Sequence, residues 1–177
     1  MTHEILLAGF GGQGVLFAGM LLCNFALTEQ KNVSWLPSYG PAMRGGTCNC
    51  SVCIDDNPIG SPMVLKPDVL FVMNQPSYDK FISSVKPGGV AFVNSTLVEK
   101  SSKCRDDITI HYIEGSKLAA ENNLAGMANT IMVGKFLKET NIVNPENSRN
   151  AILMSVGEAK THLIEPNMKA IDIGRNN

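Results

Sequence analysis

Apolar residues in this chain come in short runs closed by turn signals, and between the runs the apolar positions recur every three or four residues. Residues 5–8, 33–36, 48–54, 69–73 and 90–93 are such runs. Short apolar runs bounded by Gly, Pro, Asn or Asp read as strands, and an unbroken one such as 69–73 reads as a strand covered on both faces. Residues 108–113 alternate instead, as a strand with one covered face does. The intervening segments have helical spacing. Residues 15–27 are apolar nearly all round, with Leu16, Met20, Cys23 and Leu27 in one row, which predicts a helix buried on more than one side. Tyr78, Phe81, Ile82 and Val85 follow Pro76 at i, i+3, i+4, i+7, and Pro87-Gly88 stops that helix. Further helices are expected over 115–121, around Met132, Val133, Phe136 and Leu137 with Asn129 as cap, and as one long element from Pro145. In that last element Ile152, Val156, Ala159 and Leu163 share a face; a short terminal helix then starts at Glu165-Pro166 and ends at Gly174. The alternation predicts a single-domain α/β fold over residues 1–177: a Rossmann-like open, mainly parallel sheet with helices on both faces.

One junction carries more than fold information. The first run enters Gly9-Phe10-Gly11-Gly12-Gln13-Gly14 and then the first helix. Gly9, Gly11 and Gly14 keep the G-x-G-x-x-G spacing, in which the glycines allow the turn, let backbone approach an anion, and let helix pack on strand. The amides of the helix's first turn then face that anion. Gln13 adds a polar side chain that a purely structural turn does not require. A dinucleotide site also needs an acid at the end of the second strand, about 20 residues on, to hold ribose hydroxyls. Here that strand runs into Pro37-Ser38-Tyr39-Gly40 without one, and Glu29 falls near the end of the preceding helix, which disfavours NAD.

In open parallel sheets, ligands bind along the rim formed by the carboxyl ends of the strands. Four segments fall there: the glycine turn, the loop carrying Tyr39, Arg44, Gly45, Gly46 and Thr47, the Asn74-Gln75 pair, and Asn94-Ser95. Arg44 sits between rigid proline and flexible glycine backbone, an arrangement that presents a guanidinium to phosphate or carboxylate.

Composition narrows the partners. The chain has 177 residues, 44% hydrophobic and only 18% charged, with a net charge of -1. That balance gives no basic stripe for nucleic acid, and it leaves apolar surface with little cover, as in a subunit of something larger. Residues 5–27 are too broken by glycine and polar residues for a membrane span or signal peptide, so a cytoplasmic location is expected. Five cysteines do not make a disulfide framework at this length. Cys48, Cys50 and Cys53 form C-x-C-x-x-C, but on a strand Cys53 points away from the other two, which reads as buried thiols without a metal site. His111 reads as a sheet residue, since no acid or nucleophile pairs with it in sequence, and no catalytic residue is assigned.

Taken together, Gly9-x-Gly11-Gly12-Gln13-Gly14, the stretch Ser38-Tyr39-Gly40-Pro41-x-Met43-Arg44-Gly45-Gly46-Thr47, Met73-Asn74-Gln75-Pro76, and Lys86-Pro87-Gly88-Gly89 followed by Val93-Asn94-Ser95 resemble the gamma subunit of 2-oxoacid:ferredoxin oxidoreductases. Ala128-Asn129 is similar to a later small-residue segment of that family. The likeness spans most of the chain and is closest to the 2-oxoglutarate branch; the pyruvate, branched-chain oxoacid and indolepyruvate enzymes share the motifs, and the three cysteines are outside them. The resemblance implies a heteromeric enzyme that decarboxylates a 2-oxoacid on thiamine diphosphate, passes electrons through iron–sulfur clusters to ferredoxin, and transfers the acyl group to coenzyme A. No G-D-G thiamine diphosphate motif or cluster-binding array occurs here, so those cofactors belong to alpha, beta and, where present, delta partner chains. The implied role for this chain, inactive alone, is on the coenzyme A side: amides of Gly11 to Gly14 for an anion, and Arg44 for a phosphate or the oxoacid carboxylate. Two alternatives stay open, a non-catalytic assembly subunit and a free-standing nucleotide-binding protein.

Overall fold

The computed structural model describes residues 1–39, 46–99 and 105–177, with Tyr39 described by its backbone alone. Among these residues six strands form one sheet in the order β2-β3-β1-β4-β5-β6, with β1 at His3–Phe10, β2 at Asn32–Tyr39, β3 at Thr47–Asp55, β4 at Val69–Val72, β5 at Val90–Asn94 and β6 at Thr109–Ile113. β1, β4, β5 and β6 pair in parallel, while β3 lies between β1 and β2 and runs antiparallel to both. The connections account for this: antiparallel neighbours accept a short link, whereas a parallel pair needs a crossover. Only residues 40–46 separate β2 from β3. Helix α1, Val15–Thr28, carries the chain from β1 across to β2, and α2, Gln75–Phe81, carries it from β4 towards β5.

The two faces are covered unequally. One carries α1, α3 (Gly115–Glu121), α4 (Ala128–Glu139), α5 (Ser148–Val156) and α6 (Ile164–Asn176), over a core that includes Leu7, Leu22, Phe71, Phe92, Phe136 and Ile171. Phe71, Phe92 and Phe136 meet with ring centroids 5.1 to 5.8 Å apart, within the range where aromatic pairs add to simple burial. The other face holds Leu6, Leu70, Val72, Tyr78 and Val93 under α2 and the segment around Val64. At the amino ends of the strands, Lys86 Nζ bridges Glu4 Oε2 (2.6 Å) and Asp68 Oδ1 (2.9 Å), fixing β1 against β4; the two carboxylates raise the Lys86 pKa.

Two helical expectations are corrected. The long element from Pro145 is broken: α5 ends at Gly157, whose φ of 73° leaves the helical region, and a 3₁₀ stretch, Glu158–Leu163, follows. Ile152, Val156, Ala159 and Leu163 therefore do not share one helix face. Gly174 does not stop the terminal helix either; α6 continues to Asn176, and Gly174 lies inside it against α4. Gly134 of α4 and Gly174 of α6 face each other: a Cβ at Gly174 would overlap the Ile131 carbonyl oxygen, and one at Gly134 would overlap that of Ile171. Absence of side chains is what lets these helices cross at backbone distance.

Candidate functional site

The turn after β1 is closed by its own side chain. Gln13 Oε1 accepts from Phe10 N (2.7 Å) and from Asn74 Nδ2 (3.1 Å), while Gln13 Nε2 donates to Met73 O (3.1 Å). The glutamine thus ties the turn to the end of β4, a structural task that the turn does require, contrary to the expectation from sequence. Gly9 makes room for it, since a Cβ there would lie 2.7 Å from Gln13 Oε1 and 2.9 Å from Met73 Cβ. Gly11 N donates to Gly46 O (3.0 Å), joining the turn to the start of β3. Gly12 and Gly14 take φ of 99° and 73°, a region that favours glycine. Beyond them, at the positive end of α1, the N–H groups of Gly12, Gly14, Val15 and Leu16 meet no acceptor among the described residues.

Asn129 is not a cap. Met127 is the residue before α4, and Asn129 lies in the first turn with its Nδ2 donating to Gly14 O (3.0 Å). Only glycine at 14 admits that carboxamide, because a Cβ would come within 2.5 Å of Nδ2. Asn129 is 4% exposed, and its Oδ1 has no partner among the described residues.

A cavity of about 390 Å³ opens beside the turn, lined by Gly12, Gln13, Met73 and Leu97 on one side and by Ser116, Ala119, Ala120, Ala125, Gly126 and Ala128 on the other. Among the described residues no charged one lines it. Asn94, fully buried, stands behind its wall: Nδ2 donates to Ser116 Oγ (2.8 Å) and Oδ1 accepts from Ser116 N (3.3 Å). Asn74 is likewise buried and caps α2 by accepting from Ser77 N (2.9 Å). Gln75 faces elsewhere, donating to Asp79 Oδ1 (2.9 Å) and accepting from Glu99 N (2.9 Å). Gly9 and Thr47 line a smaller cavity of about 110 Å³ next to α2. Tyr39 ends β2 opposite Cys48; Arg44 and Gly45 lie outside the described residues. Sequence reading did not bring Ser116 or the alanines at 119, 120, 125 and 128 to this rim; the small residues 119–120 and 125–126 were the available signal.

The cysteines divide as their alternation requires: Cys48 and Cys50 face α1, and Cys53 belongs to the opposite core. Among the described residues no three His, Cys, Asp or Glu side chains group to hold a metal ion, and the split across the sheet does not suit an iron–sulfur cluster. Burial pushes these thiols up, Cys50 to about 12, so they stay protonated and unreactive near neutrality. His111 stacks on Phe92 (5.2 Å), and burial lowers its pKa. No helix among the described residues is long and apolar enough to cross a membrane.

Comparison with known proteins places this geometry. The pyruvate ferredoxin/flavodoxin oxidoreductase family matches residues 4–177. The 2-oxoglutarate synthase subunit KorC of Methanocaldococcus jannaschii is 41% identical, covering 88% of this chain and 84% of that one. The ketoisovalerate oxidoreductase subunit VorA of Methanothermobacter marburgensis is 36% identical over 97% of this chain, which spans only 35% of that longer protein. Among solved structures, the gamma subunit of a keto/oxoacid ferredoxin oxidoreductase from Geobacter sulfurreducens aligns with a TM-score of 0.82 at 30% identity, over 98% of this chain and 96% of that one. The 2-oxoglutarate:ferredoxin oxidoreductase of Magnetococcus marinus, solved with 2-oxoglutarate, coenzyme A and succinyl-CoA, shares the fold with a TM-score of 0.87 at 18% identity, over 99% of this chain and 30% of that one. The chain belongs to the pyruvate ferredoxin/flavodoxin oxidoreductase family, as a gamma subunit of the multi-subunit 2-oxoacid:ferredoxin oxidoreductases.

Proposed function

We propose that this subunit forms the coenzyme A side of an oxidoreductase that converts 2-oxoglutarate to its acyl-CoA. The observation that carries the reading is the cavity at the carboxyl ends of β1 and β4, bordered by a glycine turn whose following amides have no acceptor among the described residues. A nucleotide thiol offers what such a rim takes: anionic groups for free N–H groups, and a neutral remainder for small-walled space. The coenzyme A in the Magnetococcus enzyme supports it, on a shared fold. The identity with KorC supports 2-oxoglutarate; VorA, nearly as similar, supports ketoisovalerate as the second reading. Decarboxylation on thiamine diphosphate and electron transfer through iron–sulfur clusters to ferredoxin are then the work of the alpha and beta chains, with delta where present. Arg44, two residues before Gly46 in sequence, pairs with a coenzyme A phosphate or the oxoacid carboxylate.

The test is Arg44→Ala in the enzyme purified with its partner chains. Losing a charge-assisted contact should raise the coenzyme A or oxoacid concentration for half-maximal turnover by about tenfold to a hundredfold, with assembly intact. Weakened subunit association with an unchanged coenzyme A requirement would replace this reading by that of an assembly subunit. Turnover on a panel of oxoacids decides between 2-oxoglutarate and ketoisovalerate.

A further inference from the structure

We propose that the β2 edge of the sheet is the face on which this subunit docks a separate chain of its oxidoreductase, and that the surface it meets there is apolar. The proposal rests on the subunit assignment and not on the coenzyme A reading. Its first support is where large apolar side chains stay exposed. Trp35 and Leu36, consecutive on β2, are each 40% exposed, and strand alternation turns one towards α1 and the other towards the opposite face. On that opposite face Met63 and Leu65, 56% and 74% exposed, flank the buried Val64. Ser61 O accepts from Cys53 Sγ (3.7 Å), which holds their segment over β3, the neighbour of β2. On the α1 side the exposure continues at Leu27 and the half-buried Met20, part of the row whose apolar pattern predicts cover on more than one side. The patch therefore wraps the edge.

The other edge differs. There β6 carries the exposed Thr109 and runs into Glu114, which pairs with Lys117 (3.1 Å), next to Lys135 and its partner Glu139 (2.6 Å). Ion pairs suit a rim that meets water, whereas clustered apolar side chains led by a tryptophan suit the centre of an interface. Trp35 is also held ready for docking. Its Nε1 and Cys50 Sγ close on Gly19, 3.1 and 2.6 Å from where a Cβ would stand, so the indole has little freedom left to lose. Two observations select the occupant. Pro37 lies within β2 and has no N–H, and proline on an edge strand turns that position to the open side, which blunts extension of the sheet by a second copy's β2. In the VorA relative, the counterpart of this chain is 35% of one longer polypeptide, so the rest of that polypeptide is joined to this fold. The occupant here is the separate chain that corresponds to that remainder.

The experiment measures binding of the full chain to its partner chains, together with hydrogen exchange and sedimentation of the chain alone. Trp35→Ala, which removes the tryptophan anchor, and Leu36→Glu, which puts a carboxylate into an apolar contact, should each raise the dissociation constant by about thirtyfold or more. Leu65→Glu should weaken binding in the same direction, and at so exposed a position the free chain should keep its denaturation midpoint, which separates lost docking from lost folding. Thr109→Glu, at the other edge, should bind as the unmodified chain does. Amides of β2 should exchange more slowly in the complex, and those of β6 at an unchanged rate. If Thr109→Glu releases the subunit while the β2 changes do not, the docking face is elsewhere and the proposal is overturned. It is overturned as well if the chain alone sediments as a dimer that Leu36→Glu splits, since the occupant is then a second copy. If the unmodified chain binds no partner, the subunit assignment itself falls, an outcome that the variants do not imitate.

Discussion

Two pairs of glycines in this molecule do the same physical work for different ends. Gly9 and Gly14 let side chains come close to the backbone of the turn: Gln13 lies over the first and Asn129 against the second. Gly134 and Gly174 let two helices, α4 and α6, cross with nothing between their backbones. At Gly14 the close neighbour is the end of the Asn129 side chain, which can swing away, whereas a Cβ at Gly9 would also meet Met73 Cβ at 2.9 Å, next to the backbone. In the second pair the neighbour is a carbonyl oxygen fixed in a helix, which cannot. A glycine's cost of replacement is therefore set by what stands opposite it, and Gly14 is more forgiving than Gly134 or Gly174.

The largest expected effect follows from the rigid pair. Gly174→Ala or Gly134→Ala places a methyl group on backbone atoms of the other helix, and overpacking against an unyielding neighbour costs about 3 kcal/mol or more. The gain in helix propensity, about 1 kcal/mol, offsets only part of it. Chemical denaturation of the purified chain should show a lowered midpoint. A neutral or stabilised Gly174→Ala chain would mean that α4 and α6 are free to separate, and the contrast between the pairs would disappear.

Gly14→Ala tests the more forgiving position. The substitution needs a left-handed conformation, about 1 kcal/mol for alanine, and it pushes away the Asn129 carboxamide, losing a hydrogen bond worth about 1 kcal/mol. The total, about 2 kcal/mol, should fall short of the Gly174→Ala loss in the same denaturation experiment. The second pair of glycines also marks the limit of sequence reading. Gly9 and Gly14 were legible because a local motif sets their spacing, and the strands were legible because buried strands read as apolar runs. Gly134 and Gly174 are 40 residues apart, and nothing local pairs them. The reversal of β3 was hidden for a similar reason, since an apolar run says that a strand is buried but not which neighbour it pairs with. Ile152, Val156, Ala159 and Leu163 kept helical spacing across Gly157, so periodicity alone carried the helix past the point where the backbone turns. At the site, the sequence located the rim through Gly12 and Gln13 but not the far wall. Ser116 was invisible because its partner Asn94 reaches α3 from the end of β5.

The smallest effect on stability, and the sharpest on function, is expected at Gly12. Its φ of 99° is strained for any other residue, yet the space where a Cβ would stand is open, with nothing within 4 Å. Gly12→Ala should thus cost only conformational strain, about 1 kcal/mol. A structural turn that binds nothing has no further use for that open space. Gly12 lines the cavity, however, and on the coenzyme A reading the empty position is where the ligand passes over the backbone. The assembled enzyme with Gly12→Ala should then need about tenfold more coenzyme A for half-maximal turnover, while its denaturation midpoint stays close to that of the unmodified protein. If stability and coenzyme A requirement were both unchanged, the space over Gly12 would be idle, and the glycine would be explained by the turn alone.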